Sequence, residues 1–338
     1  MPRLPLILAL FALLAGPAPA DITVPLSQTE LLGRIGHGFN FGDALEAPKE
    51  GAWGVTIQES YFTAIHDAGF QSVRVPISWA AHLGPAPSFT IDPDFMERID
   101  WVVHRAEENH LTVILDNHND AELLKNPAAN EDRFVATWKQ IAEHFFDAPT
   151  SVLFELFNEP DSGMSAEVWN ALVARTLKVV RESNPERIVV IDGVPWAGPD
   201  SLATLKLPPD DQRLAVTFHY YEPLHFTHQG ASWIKGSTPW LGTKWWGTDR
   251  ERQSIIEAFS QVAAWGRAHG RPIYLGEFGA YSTGDMASRV RWTTFIVRQA
   301  RRHYFPWTYW EFCAGFGAYD PQTNQWRPPL LQALHSAD

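Results

Sequence analysis

An α/β fold, a single (β/α)8 TIM barrel, is what this 338-residue chain predicts, and three observations predict it. Eight short apolar runs recur along the chain, amphipathic segments alternate with them, and no composition break or Ser/Pro-rich linker divides the series. The rival is a doubly wound open sheet. It is disfavoured because no Gly-rich phosphate turn follows the first run.

The elements follow in chain order. A strand is expected at 34–40, then a helix in which Ile57, Tyr61, Ile65 and Ala68 recur at three-to-four spacing. Strand 72–76 leads into a second such pattern, Phe95, Ile99, Val102 and Ala106. Strand 111–117 precedes a helix near 134–146. Strand 152–157 precedes a third periodic stretch, Val168, Leu172, Thr176 and Val180. Strands 187–191 and 214–218 come next, followed by the longest irregular stretch, 220–249, rich in Trp, His and Gly. A loop of that length in a compact domain is usually functional. Helix 254–269, strand 272–276, helix 287–303 and strand 307–310 complete the set.

Residues 1–20 are expected to stand apart from this domain. Arg3, the apolar stretch 4–15 and Ala18-Pro19-Ala20 have the order of a secretory signal peptide, too short and wrongly flanked for a membrane span. A mature chain from Asp21 onward, residues 21–338, would then form the barrel, secreted to the periplasm or the medium. No later segment is apolar enough for membrane insertion. One cysteine, Cys313, leaves no intramolecular disulfide, so an exported chain must rely on a large core. A net charge of −12 argues against nucleic acid and anionic surfaces and favours a neutral ligand. Fifteen tryptophans supply faces on which sugar rings stack, although most will serve the core.

Barrel sites form at the C-terminal ends of the strands. The residues there are Asn40, Arg74, His118, Asn158, Glu159, Trp196, His219, Tyr220, Tyr221, Glu277 and Trp310. Glu159 closes the run Ser151-Val-Leu-Phe-Glu-Leu-Phe-Asn158, and Glu277 closes Pro272-Ile-Tyr-Leu-Gly276. A carboxylate at the edge of a core is costly, so two of them need a reason. Glycosidic cleavage supplies one, because it needs one protonated and one ionised carboxyl group. Arg74, pointing inward, requires an anionic partner; a barrel-core ion pair is the plainer alternative. If Arg74 and Tyr221 donate to Glu277, Glu277 is the nucleophile and Glu159 the acid/base.

Other chemistries fit less well. His219, His225 and His228 match no zinc spacing and HExxH is absent, so neither a metal nor an organic cofactor is expected. No G-x-S-x-G marks a serine hydrolase.

The chain resembles glycoside hydrolase family 5, and within it the endo-β-1,4-glucanases, from about residue 34 to the C-terminus. The matching stretches are Asn40-Phe-Gly-Asp43-Ala-Leu-Glu46, Gly69-Phe-Gln-Ser-Val-Arg74-Val-Pro-Ile-Ser-Trp79, Phe157-Asn158-Glu159-Pro160, His219-Tyr-Tyr221, Gly276-Glu277-Phe-Gly and Trp310-Glu-Phe. The resemblance implies Glu159 as acid/base and Glu277 as nucleophile. It implies Arg74, His118, Asn158, His219, Tyr221 and Trp310 around the −1 sugar, and Asn40, Asp43, Glu46, Asn119, His228 and Trp233 as further substrate-binding positions.

Two departures stand out: Asp43 where many relatives have Asn, and Asn119 where many have a second His. Both bear on substrate preference rather than on reaction class. The expectation is therefore a secreted, monomeric, retaining endo-β-1,4-glucanase taking a β-linked polysaccharide or oligosaccharide. A β-mannanase or a broad β-glucan/mannan hydrolase is the alternative. A barrel that binds carbohydrate without turning it over is the reading from another class.

Overall fold

Eight parallel strands, β1 (His37–Asn40), β2 (Ser72–Ile77), β3 (Thr112–Asn117), β4 (Val152–Glu155), β5 (Val189–Ile191), β6 (Leu214–His219), β7 (Ile273–Glu277) and β8 (Trp307–Tyr309), close in chain order, with β8 paired back onto β1. This computed structural model describes residues 25–161 and 163–336. The expected signal segment lies outside the described residues.

Around the barrel run α1 (Gln28–Ile35), α2 (Glu59–Asp67), α3 (Pro93–Glu108), α4 (Ala121–Lys125), α5 (Pro127–His144), α6 (Ala166–Ser183), α7 (Leu224–Thr227), α8 (Asp249–His269), α9 (Met286–Arg302) and α10 (Pro328–Leu334). Local chemistry sets their ends. Asp92 accepts the Asp94 N–H at the start of α3, where Pro93 takes the first turn. Thr248 and Glu251 form a reciprocal capping box on α8, which stops at the left-handed Gly270. Among the described residues no helix is long and apolar enough to cross a membrane.

Strand alternation divides the core in two. Outward residues such as Phe39, Val73, Val75, Val113, Leu115, Phe154, Val216, Phe218 and Leu275 pack beneath the helices. Inward residues of the lower barrel, Ile114, Leu153, Val190, Ala215 and Tyr274, form a separate apolar cluster with Leu26, Leu31 and Ile35 of the N-terminal segment. Above that plug the inward residues turn polar: Asn40, Arg74, Asp116, Glu155 and Thr217 are all fully buried. The barrel is thus sealed below and chemically loaded above.

The structure corrects three boundaries. The run at 34–40 begins in a helix, because Ser27 caps α1, Leu31 and Ile35 bury one turn apart, and Gly36 at φ 58° ends it before β1. Between β5 and β6 only a 3-10 turn, Pro199–Thr204, stands where a full helix would complete the alternation. Residues 220–249 are less irregular than their composition implies, containing α7 and a 3-10 turn at Thr238–Trp240. Gln229 organises this stretch through its side chain, which bonds the backbone of Phe226, Gly242 and Thr243.

Candidate active site

Arg74 is the organising charge. Its Nε and Nη2 donate to Glu155 at 2.9 and 2.6 Å, and Nη1 donates to Glu277 Oε1 at 2.7 Å and to Asn40 Oδ1 at 2.8 Å. Nη2 also reaches Asn158 Oδ1 at 2.8 Å and Asp116 Oδ2 at 3.0 Å. Burial alone would drive a proton off the guanidinium; Asp116, Glu155 and Glu277 outweigh it and hold Arg74 well above its ordinary pKa. Asn40, predicted as a substrate contact, is fully buried, and its amide donates to the Gly276 carbonyl at 3.0 Å.

Glu277 ends β7 opposite His219, where the β6–β7 register shifts by a bulge. Its second oxygen accepts the Tyr221 hydroxyl at 2.8 Å. Glu159 sits past the end of β4, in the left-handed region at φ 43°. Its Oε1 lies 2.7 Å from His219 Nδ1, which is 3.7 Å from Glu277 Oε2. Carboxylate oxygens of Glu159 and Glu277 and a nitrogen of His219 all lie within 4.8 Å of one another. Gly276 permits this crowding: a Cβ there would stand 2.8 Å from His219 Nε2.

One arginine faces too many carboxyls for all to be ionised. Burial pushes Asp116 up to about 7, against the pull of Arg74. Burial, then Glu155, raises Asp192 well above the carboxylate range. Glu159 is raised by burial to about 7, with His118 and Arg74 opposing. His118 and His219 are pushed by burial down to about 4 and are neutral at neutral pH. Around one guanidinium, Glu159 therefore carries a proton near neutrality while Glu277 is held by two donors. Two carboxylate–imidazole groups, Glu155–Asp192–His219 and Glu159–His219–Glu277, have metal-like spacing. Arg74 bonds one member of each group, Glu155 at 2.6 Å and Glu277 at 2.7 Å.

The remaining predicted residues form the rim. Trp310 lies nearly parallel to His118, ring centroids 5.6 Å apart, and His118 Nδ1 is anchored 2.7 Å from Asp116. Exposed Trp233 meets the ring of Tyr281 edge-on at 5.1 Å, and the buried His228 packs on Tyr221 and Phe316. Glu46, expected to meet substrate, is buried, and its carboxylate takes the backbone N–H groups of Asp43 and Ala44. Asn119 is exposed, with its amide on the Glu46 carbonyl at 3.1 Å, while Asp43 stands half-buried beside it at φ 61°. Tyr220, read from the sequence as a strand-end residue, turns outward against Phe259 of α8.

Sequence reasoning missed Asp116, Glu155 and Asp192 beneath the site and Tyr281 and Phe316 on its rim. The first two had a signal: alternation along β3 and β4 aims them at the same interior as Arg74. Asp192 follows an apolar run just as Glu159 and Glu277 do.

Comparison with known proteins places this geometry. A family model described as Cellulase (glycosyl hydrolase family 5) matches residues 36–315. Endoglucanase H of Acetivibrio thermocellus is 34% identical over 293 residues, which is 87% of this chain and 31% of that protein. The chain thus spans about a third of that relative. A solved structure described as an endoglucanase aligns at 48% identity with a TM-score of 0.89, over 92% of this chain and 100% of its own. Cel5A of Thermotoga maritima, solved in complex with mannotriose, aligns at 41% identity with a TM-score of 0.89, over 91% of this chain and 100% of its own.

Proposed function

The chain belongs to family 5 of the glycosyl hydrolases, the cellulase family, and from that premise we propose that it is a retaining endo-β-1,4-glucanase. The observation that carries this is the pair Glu159–Glu277, with carboxylate oxygens within 4.8 Å in unequal surroundings. That separation favours the retaining course, whose carboxyl groups stand roughly 5–5.5 Å apart, over the inverting one at roughly 6.5–9.5 Å. Glu277, held by Arg74 and Tyr221, attacks the anomeric carbon while Glu159 passes its proton to the departing oxygen. Glu159, now ionised, takes a proton from water, and the resulting hydroxide equivalent releases the sugar from Glu277. Asn158, fixed by Arg74 at 2.8 Å, precedes Glu159, and among the described residues its side-chain amide N–H groups have no partner, which leaves them for the sugar 2-hydroxyl. Trp310 stacks beneath the ring.

A 2-fluoro-cellobioside tests the assignment. It should label Glu277 covalently, and nuclear magnetic resonance of the first product should show the β anomer. An α product, or wild-type turnover by Glu277→Gln, would refute the double displacement. Binding without turnover in the wild type would leave a carbohydrate-binding barrel.

A second reading, activity on mannans as well as glucans, has one observation in its favour: the similar Cel5A was solved with mannotriose. Asp43 and Asn119, both against Glu46, and Trp233, against Tyr281, are the positions where such a preference would be set. Parallel assays on carboxymethyl-cellulose, barley β-glucan, glucomannan and galactomannan separate the two. We also propose export as a monomer after removal of residues 1–20, which N-terminal sequencing and size-exclusion chromatography of the secreted protein test.

A further inference from the structure

We propose that Asp192 is a positioning residue for the acid/base, fixing Glu159 through its backbone N–H and backing His219 from the opposite side. This rests on the reading of Glu159 as acid/base.

Asp192 follows β5 and is fully buried. Among the described residues its side chain makes one hydrogen bond, in which Oδ1 accepts the Glu159 N–H at 3.1 Å. The same oxygen lies 3.9 Å from His219 Nε2, while His219 Nδ1 touches Glu159 Oε1 at 2.7 Å. Asp192 thus stands behind both ends of the Glu159–His219 contact. Buried carboxyls are costly, and this one faces Glu155 and Asp116 with no cation bonded to it. A core ion pair does not account for it.

What Glu159 needs is restraint. A glutamate at φ 43° is in a sparsely populated conformation that persists only where its surroundings over-determine it. Three contacts do so here. Asn158 N–H bonds the Asn117 carbonyl of β3, Glu159 N–H bonds Asp192, and the Pro160 carbonyl accepts the Trp196 N–H. The segment that supplies Asp192 and Trp196 also takes the His219 N–H on the Ala197 carbonyl at 2.8 Å. One connection, residues 192–197, therefore fastens the acid/base and the imidazole it bonds. Among the described residues His219 Nε2 makes no hydrogen bond, so the ring is oriented by its Nδ1 contact with Glu159 and by Asp192 behind it.

Aryl β-cellobiosides of different leaving groups give the test. A dinitrophenolate departs with little protonation, whereas a phenolate needs the acid. Asp192→Ala should lower kcat/KM on the phenyl substrate by about tenfold more than on the dinitrophenyl substrate, a part of what acid catalysis contributes. Asp192→Asn keeps an oxygen for the Glu159 N–H and should recover most of that loss. Should the alanine variant fail to fold, Asp192→Ser, whose hydroxyl falls short of that N–H, takes its place. Equal losses on both substrates, or an asparagine variant no better than alanine, would overturn the proposal. Glu159→Ala is the reference: it should show the same selectivity in stronger form. If it loses both substrates equally, the acid/base reading falls, and the role of Asp192 with it.

Discussion

Arg74 Nη1 stands 2.7 Å from Glu277 Oε1, and the far side of the same guanidinium is held by Glu155 at 2.6 Å. The direction of Glu277 is therefore set from inside the barrel, by a cation whose own position is fixed two strands away. A flexible ammonium in its place would carry the charge without the fork.

Replacing Arg74 separates charge from geometry. Arg74→Met leaves Asp116, Glu155 and Glu277 without a counter-charge and should cost about 3–5 kcal/mol in denaturant unfolding. Arg74→Lys should regain part of that stability but stay about a hundredfold down in kcat, since one ammonium cannot grip Glu155 and aim Glu277 together. A lysine variant with normal turnover would show that the fork is dispensable.

The pH profile follows from Glu159. Burial raises it to about 7, against His118 and Arg74. A raised carboxyl is protonated, and competent as the acid, below that value; it is lost as pH rises through it. kcat/KM should accordingly fall with an alkaline limb centred near pH 7, and Glu159→Gln should abolish the limb together with most of the rate. An alkaline limb two units higher, unchanged in that variant, would assign it to another group.

Much of this arrangement is legible in the sequence itself. Period-two alternation through Val73-Arg74-Val75 sends Arg74 inward, and apolar runs ending in Glu159 and Glu277 put both at the barrel mouth. The same logic applied to Asp116 and Glu155 finds the partners of Arg74, but each lies inside its run and reads as an interruption of the strand. Asn40 and Glu46 have side chains of the kind that can bond a sugar, yet whether an amide or carboxylate meets ligand or backbone depends on loop closure, which spacing does not encode. Apolar patterning starts the first strand too early because Ile35 is apolar whether it closes a helix or opens a strand. Gly36 decides, through a conformation visible only in three dimensions.

Gly276 is where backbone and chemistry meet. A Cβ there would lie 2.5 Å from Thr217 Oγ1 and 2.8 Å from His219 Nε2, both buried and unable to retreat. Gly276→Ala should displace His219 from Glu159, lowering kcat by at least tenfold while costing about 1–3 kcal/mol of stability. A crystal structure of the variant with the Glu159–His219 contact still 2.7 Å long would contradict this.

Trp233 is 59% exposed and packs at right angles to Tyr281, so much of its ring is open to a ligand. Trp233→Ala should leave the melting temperature within a degree or two of wild type. KM for cello-oligosaccharides should rise about three- to tenfold, the equivalent of one lost aromatic stack. Titration of catalytically impaired Glu277→Gln with cellotetraose, with and without the tryptophan, reads binding directly; equal affinities would remove Trp233 from the subsite.

Glu311 links the platform to the rim. It follows Trp310, and its buried carboxylate takes the N–H groups of Cys313 at 3.1 Å, Ala314 at 2.7 Å and Phe316 at 2.9 Å. Those bonds fold the loop that brings Phe316 against Tyr221 and His228. Glu311→Gln turns an amide N–H toward at least one of those donors, which should cost about 1–3 kcal/mol at pH 5. Burial, then Asp43, raises Glu311 to about 8, outweighing its three donors. Because the folded value exceeds the unfolded one, its contribution is complete below the ordinary glutamate pKa and is lost as pH rises through about 8. Glutamine has nothing to titrate, so the stability gap between wild type and Glu311→Gln should narrow from pH 5 to pH 9 in thermal unfolding. A gap that widens would mean that the three N–H donors, not burial, govern this carboxyl.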